Sequence, residues 1–331
     1  MAVKHEILQE KVLYLLALLF TCVCLTATAE AQGSRAKTAL SYIERGNEWL
    51  DKGELERAID DFSLAIASDP RTAKAYNNRG YARQAKGDRE GALADFERAL
   101  QIDPRYLKAL NNRGLLRDAL GDYEGAIADF SKVLELDKRS DRALSNRANA
   151  RYDKGDFAGA IADSTAALAL NSRSRLAHIT RGLARQCQHD LDGALADLDQ
   201  AIALDPSHAE DLYNRGNMRF EKGDLKGALA DYTETLALNP KLADAYNNRA
   251  VIYAVQNRQD LALADYDSAL RLKPNSATTY LNRGLTRLMQ GQMKEAQEDF
   301  DQCLAVDQKL KPLLEKRIEL AKKVLSSGGR R

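Results

Sequence analysis

Two ionisable residue types keep a fixed distance along the whole sequence. Arg45, Arg79, Arg113, Arg147, Arg181, Arg215, Arg249 and Arg283 recur every 34 residues. Each is followed 16 residues later by an aspartate: Asp61, Asp95, Asp129, Asp163, Asp197, Asp231, Asp265 and Asp299. A planar guanidinium and a carboxylate can share two parallel hydrogen bonds. Two readings are open: a ladder of ion pairs that fixes register, giving specificity more than stability, or a charge row for a ligand. An in-repeat partner for every arginine favours the ladder. Asparagine precedes the arginine at Asn78, Asn112, Asn146, Asn214, Asn248 and Asn282, and Glu44 and Thr180 fill the other two places. Histidine and cysteine gather in one stretch, His178, Cys187, His189 and His208. These are ligand types for a metal, but His178 and Cys187 would sit about 13 Å apart along one helix, without an accompanying Cys-x-x-Cys or His-x-x-x-His. The cluster therefore reads as structural. No Gly-rich phosphate loop, nucleophile elbow or isolated carboxylate pair stands out from the repeating background. The expectation is a chain that is not an enzyme and has no cofactor, no metal and no small-molecule substrate.

The elements that position these residues follow from the same period. The eight units are 39–72, 73–106, 107–140, 141–174, 175–208, 209–242, 243–276 and 277–310, with no insertion. Gly or Ala follows every repeating arginine, and Ala58, Ala92, Ala126, Ala160, Ala194, Ala228, Ala262 and Ala296 share one place. Small residues on two facing helices let their backbones approach closely. Gly53, Gly87, Gly121, Gly155, Gly223 and Gly291 fall between the two helices, where a left-handed residue ends the first. His189 and Asn257 fill that place in units five and seven; Asn tolerates the conformation and His takes it at some cost. Asp88, Asp122, Asp156 and Asp224 are placed to cap the second helix. Pro70, Pro104, Pro206, Pro240 and Pro274 end it. Leu314, Ile318, Ala321 and Leu325 form one further apolar stripe, suited to a helix that caps a stack.

In the second unit Tyr76, Gly80, Ala92, Phe96, Ala99 and Pro104 follow an aromatic, small, small, aromatic, small, proline order. This resembles the tetratricopeptide repeat, and the resemblance covers residues 39–310. It implies an all-α fold: a right-handed superhelical solenoid of eight helix-turn-helix repeats, plus a C-terminal capping helix at 311–325. It also implies protein or peptide partners, bound along the concave face.

In such arrays the asparagine place lies on the first helix and faces the inner groove. One acceptor and two donors per amide match a peptide backbone. The ladder is similar to the inner groove of the O-linked N-acetylglucosamine transferase superhelix, whose asparagines grip an extended peptide; no glycosyltransferase domain follows here. Helix packing is the competing role for the same amides. The second place of each unit also reaches this face. It reads Lys74, Lys108 and Arg142, then Glu210 and Asp244, a polarity that would orient a polypeptide. Tyr81, Leu115, Asn149, Leu183, Asn217, Val251 and Leu285 are expected to read side chains. Chaperone-binding members hold a terminal carboxylate in a clamp; Asn47, Asn78 and Lys108 match three of its places, while Ile43 and Asn112 stand where basic residues are expected.

The 49 Lys and Arg against 48 Asp and Glu give a net charge of +1 and no reason to expect nucleic acid. Residues 1–31 read as a signal peptide. Lys4 and Lys11 precede an apolar run from Val12 to Leu25, and Ala29-Glu30-Ala31 has the small-x-small pattern of a cleavage site. The apolar run is also long enough to leave open an uncleaved membrane anchor. Both place the repeats outside the cytoplasm, periplasmic or secreted in the first case and inner-membrane tethered in the second. Residues 32–38 then form a leader and 326–331 a basic tail. Cys187 and Cys303 are expected as free thiols in the packing. The function expected is a scaffold or adaptor that holds a polypeptide; the alternatives are a self-assembling structural envelope protein and an accessory subunit of an envelope or glycosyltransferase-like complex.

Overall fold

The computed structural model describes residues 35–328. The expected signal, residues 1–31, the start of the leader and the last three residues of the tail lie outside the described residues. Among the described residues there is no strand, and no helix is long and apolar enough to cross a membrane.

The helices form two compact units, residues up to Lys154 and residues from Gly155. The first holds α1 (residues 35–51), α2 (Leu55–Ser68), α3 (Ala73–Lys86), α4 (Arg89–Ile102), α5 (Leu107–Ala119), α6 (Tyr123–Leu136) and α7 (Asp141–Lys154). The second holds α8 (Phe157–Leu170), α9 (Arg175–Cys187), α10 (Leu191–Leu204), α11 (Ala209–Glu221), α12 (Leu225–Leu238), α13 (Ala243–Val255), α14 (Gln259–Leu272), α15 (Ala277–Met289) and α16 (Met293–Val306). A 3-10 turn at Gln308–Leu310 leads into α17 (Lys311–Gly328). Helix α1 already includes residues 35–38, so most of the expected leader is helical; Arg35, Ala36 and Lys37 favour helix and no Gly or Pro interrupts them. The last helix likewise runs past 325 to Gly328, so the start of the expected tail is helix.

Within a repeat the two helices meet where a small residue faces a ring. A Cβ added to Gly80 would lie 2.8 Å from Phe96 Cε1, and one at Gly114 2.8 Å from Phe130 Cε1. The same fit recurs at Gly216 under Tyr232 and Gly284 under Phe300. Each of these rings is buried, which contributes about 1.5–3 kcal/mol per side chain. Repeat five puts Leu198 in place of the ring, and there the space over Gly182 is looser, with Leu198 Cγ 3.6 Å from an added Cβ. The repeating alanines Ala58, Ala92, Ala126, Ala160, Ala194, Ala228 and Ala262 have no exposed surface.

The turns match the sequence expectation. The six inter-helix glycines have φ between 77° and 94°, and His189 and Asn257 take φ of 63° and 59° in the same place. Asp88, Asp122, Asp156 and Asp224 cap the following helix through the backbone N–H three residues on, and Asp190, next to His189, does the same. The N–H donor is a glycine in all five, and a Cβ there would collide with the capping carboxylate: at Gly125 it would lie 2.1 Å from Asp122 Oδ2. At the far end of the second helix an Asp or Asn closes an Asx turn: Asp69, Asp103, Asp137, Asn171, Asp205 and Asn239 each accept from the backbone N–H two residues on. Cys303 is buried as expected, but Cys187, the last residue of α9, is exposed; both are free. Cys187 lies in the last turn of α9, where the matching residues of other first helices, Ala85, Ala119, Glu221 and Val255, are exposed as well, and this corrects the expectation that Cys187 lies in the packing.

Replacing Gly114 by Ala is expected to push on the Phe130 ring and cost about 1–3 kcal/mol. Urea unfolding of the variant checks this; an unchanged midpoint would show that the helix pair can open without cost.

Candidate functional site

Seven arginine–aspartate pairs lie within one unit, and all seven close inside their own hairpin. In each, Nε and Nη2 of the arginine donate to the two carboxylate oxygens, as in Arg79 to Asp95 at 2.9 and 2.7 Å. Arg45–Asp61, Arg113–Asp129, Arg181–Asp197, Arg215–Asp231, Arg249–Asp265 and Arg283–Asp299 repeat the geometry. The aspartates are buried. A second arginine, one turn on, bonds the same carboxylate: Arg83, Arg117, Arg185, Arg219 and Arg287 reach theirs at 2.7–2.9 Å. Trp49 Nε1 takes that role in repeat one, donating to Asp61 at 3.1 Å. The spacing of these second arginines, four residues after the first, was present in the sequence and marks them. The first arginine also touches the preceding repeat: Arg79 donates to Ser63 Oγ at 3.1 Å, Arg215 to Asp199 at 2.8 Å and Arg283 to Asp267 at 2.6 Å. The row is thus consumed internally. Arg45 holds the Asp61 carboxyl below the usual carboxylate range, chiefly through the hydrogen bond.

The histidine–cysteine stretch does not converge. The two ring nitrogens of His178 lie 3.2 Å from Asp197 Oδ1 and 3.1 Å from the Ser172 carbonyl. His189 sits exposed in its turn, and His208 precedes α11. Among the described residues no group of three such side chains is placed to hold a metal.

The first unit instead encloses a cavity of about 500 Å³ along its first helices. It is lined by Asn47 and Leu50 of α1, by Lys74, Asn77, Asn78 and Tyr81 of α3, by Tyr106, Lys108, Asn111 and Asn112 at and in α5, and by Arg142 of α7. Five of the expected binding residues, Asn78, Asn112, Lys74, Lys108 and Arg142, therefore share one site. No carboxylate lines it. Burial pushes the Tyr106 phenol up, with Asp103 adding to it, so Tyr106 presents a neutral hydroxyl.

The ladder asparagines are partly engaged. Asn78 Nδ2 donates to Asn47 Oδ1 at 2.9 Å, and Asn112 Nδ2 to Asn77 Oδ1 at 3.0 Å. In the second unit Asn248 donates to Asn217 Oδ1 at 3.0 Å and Asn282 to Asn247 Oδ1 at 3.2 Å. Each link runs from one repeat to the one before. An amide has two donor hydrogens, so the packing role and a ligand role are compatible at Asn78 and Asn112. Asn146 is 6% exposed and does not line the cavity, and Asn214 is half-buried. The doubled asparagines Asn77 and Asn247, visible as Asn-Asn-Arg in the sequence, were not anticipated as partners; Asn111, in the same place, bonds the Leu107 carbonyl of its own helix.

Of the side-chain-reading positions, Tyr81 is 54% exposed and faces the cavity. Val251 lines a smaller cavity of about 210 Å³ in the second unit with Asn217, Phe220, Tyr232 and Asn248. Leu115, Leu183 and Leu285 pack against the core. Asn149 is bound by Asp118 Oδ2 at 3.1 Å and Asp153 Oδ2 at 2.9 Å. The clamp places Asn47, Asn78, Lys108 and Asn112 meet in the cavity, but Ile43 is 1% exposed in the core of repeat one. On the acidic side of the expected polarity, Asp244 is held by Lys273 at 3.3 Å and Glu210 is exposed.

Tetratricopeptide-repeat models match residues 73–106, 107–140, 243–276 and 277–310, and a TPR-repeat model matches 46–87 and 216–257. Together they span more than half of the chain. The chain belongs to the tetratricopeptide-repeat family. No curated protein matches it. Among solved structures, a tetratricopeptide repeat protein from Parabacteroides merdae is similar at 22% identity and a TM-score of 0.61, over 76% of this chain and 99% of that one. The Cut9–Hcn1 hetero-tetramer of the APC/C is similar at 18% identity and a TM-score of 0.62, over 81% of this chain and 52% of that one. YrrB, a TPR protein with an unusual peptide-binding site, gives 21% identity and a TM-score of 0.50, over 59% and 97%. As a tetratricopeptide-repeat array, the chain is a protein-interaction scaffold, a fold that is typically non-catalytic.

Two stability predictions follow from the buried carboxylates. Asp129→Ala strands Arg113 and Arg117 and is expected to cost about 3–5 kcal/mol in urea unfolding; a loss under about 1 kcal/mol would show the pair to be solvated. Burial raises the Asp118 carboxyl above its ordinary range, the carboxyl of Asp153 adding to the shift. An acid raised by folding is penalised when ionised, so the penalty is present above the folded value and absent below the ordinary carboxylate range. Asp118→Asn should therefore raise the urea midpoint at pH 7 and leave it unchanged near pH 3.

Proposed function

We propose that the chain works outside the cytoplasm as a non-catalytic adaptor that captures a polypeptide segment in the groove of its first unit. The observation that carries this is the cavity that gathers Asn47, Asn78 and Asn112 with Lys74, Lys108, Arg142 and the exposed Tyr81. Amide groups there retain hydrogen-bonding capacity for a backbone, and an exposed tyrosine supplies contact area at low entropic cost. The fold shared with YrrB, described as having a peptide-binding site, agrees with this reading. Placement outside the cytoplasm rests on the sequence of residues 1–31, with Lys4 and Lys11 before the apolar run and Ala29-Glu30-Ala31 after it. A membrane tether through the same run leaves the repeats on the same side.

The test is crosslinking in cells from a photoreactive residue at position 81, with exposed Leu64 of α2 as the control position. A discrete adduct from position 81, weakened by Asn78→Ala with Asn112→Ala, is expected. Equal background from both positions would sink the groove reading. For placement, protease added to intact spheroplasts should digest the repeats; full protection would place them in the cytoplasm.

A further inference from the structure

We propose that the segment held in the first unit is an extended acidic peptide carrying a carboxylate at about every third residue. This specifies the ligand of the groove reading above and rests on it.

Lys74, Lys108 and Arg142 are all exposed, and all line the cavity. None of the three makes an ion pair or a hydrogen bond among the described residues. The neighbouring arginines on the same helices are otherwise employed: Arg79 and Arg83 hold Asp95, and Arg113 and Arg117 hold Asp129. The array therefore spends its structural arginines on aspartates and leaves one cation per repeat, in three successive repeats, unneutralised beside a cavity. Copying of the repeat does not explain the row, because the same place reads Leu176, Glu210, Asp244 and Thr278 in the second unit.

The spacing sets the ligand. Helices α3, α5 and α7 are in contact in succession, and contacting helix axes lie about 8–10 Å apart. A chain extended as polyproline II rises about 3.1 Å per residue with three residues per turn, which puts every third side chain on one face about 9 Å apart, so equivalent cations on successive first helices meet every third side chain. Carboxylates at i, i+3 and i+6 would each face one of Lys74, Lys108 and Arg142. Between them, the free amide hydrogens of Asn78 and Asn112 face the backbone carbonyls. A terminal carboxylate is not needed, because the clamp's remaining basic places are held by buried Ile43 and by Asn112. A net charge of +1 supplies little long-range field to draw a polyanion such as nucleic acid, so local matching decides.

The experiment uses the full chain and labelled peptides with both ends blocked, read by fluorescence anisotropy. One peptide carries three glutamates spaced by two neutral residues, the second has the same composition with the glutamates contiguous, and the third has glutamine in their place. The spaced peptide should bind about tenfold or more tighter than either, and its affinity should fall with added salt. Lys74→Glu with Lys108→Glu and Arg142→Glu should abolish binding; the sites are exposed and unpartnered, and an unchanged circular dichroism melt confirms folding. Equal binding of all three peptides, or no effect of the charge reversal, overturns the proposal. So does a single-stranded RNA oligomer that binds tighter than the spaced peptide and is lost on charge reversal. If the glutamine peptide binds as well as the others and the adduct at position 81 persists, only the acidic specification falls. If position 81 gives no adduct, the groove reading falls with it.

Discussion

The array depends on one buried contact, an aspartate on the second helix gripped by a guanidinium from the first, and in five repeats by two. Removing a carboxylate from water is costly, and the cost is offset here by charge-assisted bonds with two-point geometry. Asp129, for instance, accepts from both Arg113 and Arg117 while almost fully enclosed. The helix pair cannot slide by a turn without stranding that charge. The third hand of the first arginine, on a hydroxyl or carboxylate of the preceding repeat, then ties hairpin to hairpin. Glycine under an aromatic ring sets how closely the two helices approach, and the carboxylate sets where along their length they do so.

This arrangement explains why the groove is available to a ligand. The strong cations that recur in every repeat are turned into the hairpin and neutralised there. What remains on the groove side varies from repeat to repeat, and it is variation of this kind that can encode a partner. The asparagines stand between the two roles. At Asn78 and Asn112 one hydrogen of the amide serves the stack and the other is not used by it, whereas Asn248 gives its amide to both Asn217 and Tyr213 of the preceding repeat.

Much of the fold was legible because each structural device occupies the same place in most of the eight repeats. A left-handed turn at His189 and Asn257 could be read from the glycines that fill the place elsewhere. The Asp-x-x-Gly caps and the Asx turns that close the second helices were equally periodic, yet they need a local geometric rule rather than a hydrophobic one to be noticed. The second arginine was hidden by the prominence of the first. Repeat-specific departures were harder. Asp211 stands where most other repeats have alanine, and only the structure shows Arg175 reaching it at 2.6 Å. Leu115, Leu183 and Leu285 have the right spacing for the groove, but apolar side chains turn toward the core, and spacing alone does not give side-chain direction. Asn149 was expected to face a ligand, and two carboxylates claim its amide first.

The amide links between repeats all run one way, with the donor in the later repeat and the acceptor in the earlier. At the far side of the second unit the last of them, Asn282, is met by Arg317 of the capping helix, whose Nη1 lies 3.5 Å from Asn282 Oδ1. Arg317 falls 34 residues after Arg283, in phase with the whole row. An asparagine passes a hydrogen bond along because it both gives and receives; a guanidinium only gives. The relay of the second unit thus terminates on a group that can feed it but cannot receive from anything beyond.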